Sequence, residues 1–173
     1  QIMVIDDLPN RRLPAHLIIH SAMDEEAGRR DARPGTEVLA GPSYALVPKA
    51  FTEDPQRGDA EAIRRVFVSV GGSDVHHALP KLLEWVRGAL PVATLDVVVG
   101  PFVDAETTRL LEHAVRQRPP IVLWRNLEPQ QLRALMLQAD LAVSAAGQTL
   151  FQLAASAVPT LAVTLVENQA LLA

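Results

Sequence analysis

The chain has no cysteine, which excludes disulfides, thiol nucleophiles, iron–sulfur clusters and cysteine-ligated zinc. Aromatic residues are only 4% of it, so the 49% that is hydrophobic is mainly Val, Leu, Ile and Ala. Aliphatic mass of this kind suits strands buried on both faces, with Ala- and Leu-rich helices packed on them. Positive charge is not in surplus: 16 Lys and Arg against 20 Asp and Glu leave a net −4. That balance does not point to nucleic acid as a partner. No apolar run approaches the ~20 residues that cross a bilayer, so no membrane span is expected. What remains is a compact globular protein of 173 residues, long enough for one or two domains.

Both ends read as cut. QIMVIDD is a strand entered without a preceding turn or cap, and VENQALLA is a helix that has only begun. The chain is therefore expected to be a segment of a longer protein.

The most regular region starts near Ala60. Arg65–Val70 is a β-branched run ending in Gly71-Gly72, and Val75–Leu90 carries Ala78, Leu79, Leu82, Leu83, Val86 and Leu90 at helical spacing. Strands are expected at Leu95–Val99, Ile121–Trp124, Asp140–Ser144 and Thr160–Val166. Helices are expected at Asp104–Gln117, with Asp104 as N-cap, at Pro129–Gln138 and at Gln148–Ser156. Short apolar strands alternating with helices imply an α/β fold with a doubly wound, mainly parallel, Rossmann-like sheet. Residues 1–51 are less regular, with strand candidates at Ile2–Ile5, Leu17–Ile19 and Tyr44–Val47, and a polar surface loop over Asp24–Gly35. The expected division is the tail of one Rossmann-like domain (1–51), a linker (52–62) and a nucleotide-binding domain (63–173).

In such sheets ligands lie outside the carboxyl ends of the strands. The first strand of the second domain is followed by Gly71-Gly72-Ser73-Asp74. It reads either as a diphosphate cradle at a helix N-terminus or as a tight turn in which Ser73 or Asp74 is only a cap. The fourth strand is followed by Ala146-Gly147-Gln148-Thr149, again small residues opening a helix. If the strand order is the usual one, these two loops flank the point where it reverses, which favours a nucleotide or nucleotide-sugar site. The fifth strand is followed by Glu167-Asn168-Gln169, either substrate contacts or a helix start. His76 and His77 follow the Gly-Gly loop and read as solvated side chains before phosphate contacts. Asp6-Asp7 reads as a cap rather than a metal pair, and no metal or cofactor is expected.

Taken together, VIDDLPNR, GPSYALV, VSVGGSD, ADLAVSAAG and VENQ, in this order and spacing, resemble the UDP-sugar hydrolases of pseudaminic acid biosynthesis. That family is often labelled spore-coat polysaccharide synthesis proteins. It is similar in turn to the two-domain GT-B glycosyltransferases, whose nucleotide lies mostly on the carboxyl-terminal domain. The resemblance spans nearly the whole chain. It implies a cytoplasmic enzyme and a metal-independent hydrolysis, in which water attacks the sugar anomeric carbon and UDP leaves. Carried over by position, it implies that Gly71, Gly72, Ser73 and Asp74 approach the diphosphate or sugar. Ala146, Gly147, Gln148 and Thr149 hold phosphate, and the Asn126-Leu127 loop offers backbone to uracil. Asn168 and Gln169 meet the sugar, with Asn168 assisting catalysis.

Several residues depart from the family pattern. Ala146 stands for a second glycine, and Gln152 for a glutamate that in GT-B enzymes accepts hydrogen bonds from ribose hydroxyls. Pro48-Lys49-Ala50 replaces Arg-Pro-Glu, and His77 replaces an Asn. The family's catalytic His lies in an amino-terminal loop that precedes residue 1. Two other readings stay open: an inverting GT-B glycosyltransferase with the same UDP-sugar donor, and a divergent member that binds without turnover.

Overall fold

A computed structural model describes residues 1–6, 13–21, 29, 32–58, 61–117 and 120–172, apart from the side chains of residues 117, 168 and 171. Asp7, most of VIDDLPNR and most of the polar stretch from Asp24 lie outside the described residues. The chain divides into two compact units, Gln1–Val47 with Val166–Ala173, and Pro48–Leu165.

In the first unit, β1 (Met3–Ile5), β2 (Leu17–His20) and β3 (Glu37–Ala40) form a parallel sheet in that order. The registers pair Met3 with Leu17, and Leu17 with Glu37. Two expectations are corrected here. Glu37–Ala40 is a strand that begins just after the polar stretch read as a loop. Its four residues carry too little pattern to be seen without the partner strand that pairs them. Tyr44–Val47 is not a strand: Pro42–Tyr44 is a 3-10 turn entered through Gly41 at φ 103°. Prolines at 42 and 48 bracket that segment and favour turns over a ladder. A further 3-10 helix spans Glu167–Leu171.

The second unit is a five-stranded parallel sheet with α-helices threaded between the strands. The elements are β4 (Arg65–Ser69), α1 (Ala78–Ala89), β5 (Thr94–Val98), α2 (Ala105–Gln117) and β6 (Ile121–Trp124). They continue with α3 (Pro129–Leu137), β7 (Leu141–Ala145), α4 (Thr149–Ala155) and β8 (Thr160–Val163). The strand order is β6-β5-β4-β7-β8, so β4 and β7 are neighbours at the centre, where the direction of winding reverses. This is the reversal that the sequence argument needed.

Both faces of the sheet are buried. Val66, Val68, Leu95, Val97 and Val143 point one way, against Leu79, Leu82, Leu83 and Val86 of α1 and Leu111 of α2. Those α1 positions repeat as i, i+3, i+4 and i+7, one stripe of a helix. Phe67, Ser69, Asp96 and Ala142 alternate with the first set and are equally buried. β8 stops at Val163, short of the expected Val166, and Leu161 on this edge strand is largely exposed.

The Pro- and Gly-bearing segment 48–58 is held against α3. Arg57 donates from Nη2 to the Ala139 carbonyl (2.6 Å) and from Nη1 to Leu137 (3.0 Å) and Met136 (3.3 Å). A guanidinium here suits the negative end of the helix dipole, adding to the Ala139 N–H that Met136 O already accepts. Phe51 is buried, and Arg133 of α3 donates back to the Glu53 carbonyl.

Candidate functional site

Four loops leave the carboxyl ends of β4, β5, β6 and β7. After β4, Gly71 takes φ 89°, a left-handed conformation suited to glycine, and its N–H donates to Ser69 Oγ at 3.2 Å. The next carbonyl, of Gly72, accepts the Phe102 N–H at 2.9 Å and so joins the loops after β4 and β5. Gly100 lies against these carbonyls so closely that any β-carbon there would overlap Gly71 O and Gly72 O. After β6, Asn126 takes φ 52°, which Asn tolerates better than most residues. Glu128 then opens α3, its N–H received by Gln131 Oε1. After β7, the Ala146 N–H reaches Val163 O and the Gly147 N–H turns back on Ala145 O before α4 begins.

These loops line an open cavity of about 280 Å3. Phe67, Ser69 and Val98 of the strands, and Val99 after them, line it together with Gly71, Gly72, Gly100 and Pro101. Asn126, Leu127, Leu132 and Thr149 complete the lining. Of the residues singled out in the sequence, Gly71, Gly72, Asn126, Leu127 and Thr149 therefore meet at one cavity. Ser73, Asp74, Ala146, Gly147, Gln148 and Gln152 do not line it; Ala146 is fully buried and Gln152 is half-buried in α4. Glu167, Asn168 and Gln169 belong to the first unit, in the 3-10 helix Glu167–Leu171. Ser69, Gly100 and Pro101 were not singled out. Gly100-Pro101 after an apolar strand, and Ser69 as the one polar residue of β4's buried stretch, were the available signals.

Asp74 settles one point about the β4 loop. It is buried, with Oδ1 accepting the Ala78 N–H (2.7 Å) and Oδ2 the Leu79 N–H (2.9 Å). The helix N–H groups expected to face a ligand at α1 thus include two already held by the protein's own carboxylate. His77 precedes α1 in a left-handed conformation, φ 48°, which moves the helix start from the expected Val75 to Ala78.

Two polar clusters join residues that the sequence reading did not connect, although the first bears out Asp104 as the cap of α2. In the first, Asp104 Oδ1 accepts the Thr107 N–H (2.9 Å) and Oδ2 accepts the Thr107 hydroxyl (2.8 Å). That N–H foremost, and the hydroxyl after it, hold the Asp104 carboxyl below its ordinary value of 3.8, with a smaller contribution from His77. His77 Nδ1 stands 2.8 Å from Thr107 Oγ1 and 3.4 Å from Asp104 Oδ2. In the second, Asp96 on β5 is fully buried between Arg65 of β4 and Trp124 of β6. It accepts from Arg65 Nε and Nη2 and, at 2.7 Å, from Trp124 Nε1. Arg65 and Trp124 also line a second cavity, of about 250 Å3, which shares Leu127 with the first. Among the described residues no group of three or more His, Asp or Glu is arranged to hold a metal ion, and no helix is long and apolar enough to cross a membrane.

Neither a family model nor a curated protein matches the chain. Among solved structures it is similar to the crystal structure of a GtfA/B complex, with a TM-score of 0.51 at 17% identity over 90% of this chain. The chain spans about a third of that neighbour's length (32%). At such low identity the likeness is one of fold: α/β with parallel sheets, Rossmann-like.

Proposed function

We propose that this chain is the nucleotide-sugar-binding part of a metal-independent enzyme acting on a UDP-sugar, and that its nucleotide lies at the cavity on the second unit. The observation that carries this reading is the meeting of Gly71, Gly72, Asn126, Leu127 and Thr149 at the carboxyl ends of β4, β6 and β7, at the reversal of strand order. Backbone bared by two glycines lets a diphosphate approach closely, and the Asn126-Leu127 turn offers main-chain groups to a base. Ser73, Asp74, Ala146, Gly147, Gln148 and Gln152 stand in the flanking segments, and Glu167, Asn168 and Gln169 are proposed as sugar-binding residues on the resemblance alone.

The reaction we favour is hydrolysis, on the resemblance of VSVGGSD and ADLAVSAAG to the pseudaminic acid pathway's UDP-sugar hydrolases. Water bonds to the anomeric carbon, the bond from that carbon to the diphosphate oxygen breaks, and UDP departs with the electron pair while one proton passes to solvent. Transfer to an acceptor other than water is the second reading, and the likeness to the GtfA/B structure favours it.

The test is calorimetric titration of the chain with UDP, and separately with ADP, in EDTA. Micromolar binding of UDP alone is expected. Gln152→Glu is expected to tighten it by about 1 kcal/mol, the added worth of a charge-assisted bond to ribose. Binding of neither nucleotide by the wild type, or equal binding of both, defeats the reading.

A further inference from the structure

We infer that His77 is a sugar-recognition residue, whose ring is fixed by Asp104 through Thr107 so that Nε2 accepts a hydrogen bond from a hydroxyl or amide N–H of the bound sugar. This rests on the UDP-sugar reading above and adds to it a residue that the resemblance does not supply.

The argument is one of proton counting. Thr107 has a single hydroxyl proton, and it is donated to Asp104 Oδ2 at 2.8 Å. Thr107 Oγ1 can therefore only accept in its 2.8 Å contact with His77 Nδ1, so Nδ1 carries a proton. In the neutral ring that leaves Nε2 as an acceptor with a defined direction. The chain of carboxylate, hydroxyl and imidazole orients the ring as second partners orient working histidines elsewhere.

The placement agrees with this role. Gly71-Gly72 and Gly100-Pro101 line the cavity, and His77 and Asp104 stand a few residues further along the same two loops. Those loops are joined by the bond from the Phe102 N–H to Gly72 O, so the ring, which does not itself line the cavity, is carried on the two loops that do. Thr107 is fully buried, whereas the His77 side chain is 56% exposed. The anchored side of the ring is thus inside and the rest is accessible. With the first N–H groups of α1 held by Asp74, a side chain rather than the helix end is what this loop presents. A neutral acceptor suits a sugar hydroxyl or acetamido N–H better than a phosphate oxygen, which offers no proton.

Nitrogen-15 NMR of the chain and titration in EDTA with UDP-N-acetylglucosamine and with UDP test the inference. The wild-type ring is expected as the Nδ1–H tautomer, and Thr107→Val should mix the tautomers. His77→Asn keeps an N–H near the Nδ1 position and removes Nε2. It should bind the sugar nucleotide about five- to tenfold more weakly and UDP unchanged, the worth of one neutral hydrogen bond. His77→Gln, which restores a polar atom near Nε2, should recover part of the loss. If His77→Asn binds both ligands like the wild type, His77 only braces the two loops and the inference is overturned alone. If the wild type binds neither ligand, the nucleotide reading fails and takes the inference with it.

Discussion

Gly100 rests directly on the backbone of Gly71. The residue after β5 has no space for a β-carbon because the carbonyls of Gly71 and Gly72, in the loop after β4, occupy it. Two loops from neighbouring strands thereby become one continuous wall of the cavity, and the constraint at Gly100 is spatial rather than conformational.

Replacing Gly100 with Ala should therefore be costly although alanine is small. Backbone cannot give way as a flexible side chain can, and the expected loss is about 2–3 kcal/mol in urea unfolding. UDP binding should weaken in parallel. Gly147→Ala is the control: a β-carbon there meets nothing nearby, and stability should change far less.

Asp96→Ala removes the acceptor shared by Arg65 and Trp124 and leaves both donors without it between the sheet and α3. A broken ion pair of this kind should cost about 2–3 kcal/mol, toward the lower end for buried pairs because the Arg65 side chain is 34% exposed. Asp96→Asn keeps one carbonyl oxygen and should retain part of the stability. Trp124 fluorescence should report the change, since the other tryptophan, Trp85, is exposed on α1.

Asp104 gives a pH dependence whose sign follows from its bonds. Its carboxyl is held below the ordinary value of 3.8 in the folded chain, chiefly by the Thr107 N–H and hydroxyl. The charged form is thus favoured by folding. Its stabilisation is complete above the ordinary value and is lost as pH falls through the lower, folded one. Urea midpoints of the wild type and Asp104→Asn should differ at pH 6 and converge as pH falls from about 5 toward about 2. A gap that stays constant over that range would show that the carboxylate's charge plays no part.

Much of the second unit was legible because its signals are local. Ile121–Trp124 was read to the residue, and Leu79, Leu82, Leu83 and Val86 declared the buried stripe of α1 through spacing alone. β3 was not legible, since four residues including a glutamate form a strand only when β2 supplies the partner. The start of α1 was misplaced for a related reason. Val75 and His76 are compatible with a helix, but the reach of Asp74 to Ala78 and Leu79 fixes the boundary.

The candidate site divides along the same line. Composition and pattern determined the class of the protein: aliphatic runs alternating with amphipathic helices bury both faces of a sheet only if it is parallel and covered on each side. They also marked the glycines, because backbone bared at a strand end leaves a trace in residue type; the Asn126-Leu127 turn was reached only through the family resemblance. Which loops share a cavity depended on the strand order, set by long-range pairing of β4 with β5 and β7. The links from Gly100 to Gly71, from Asp96 to Arg65 and Trp124, and from His77 through Thr107 to Asp104 join residues distant in sequence. No spacing rule encodes such contacts; the packing of the strands and loops creates them.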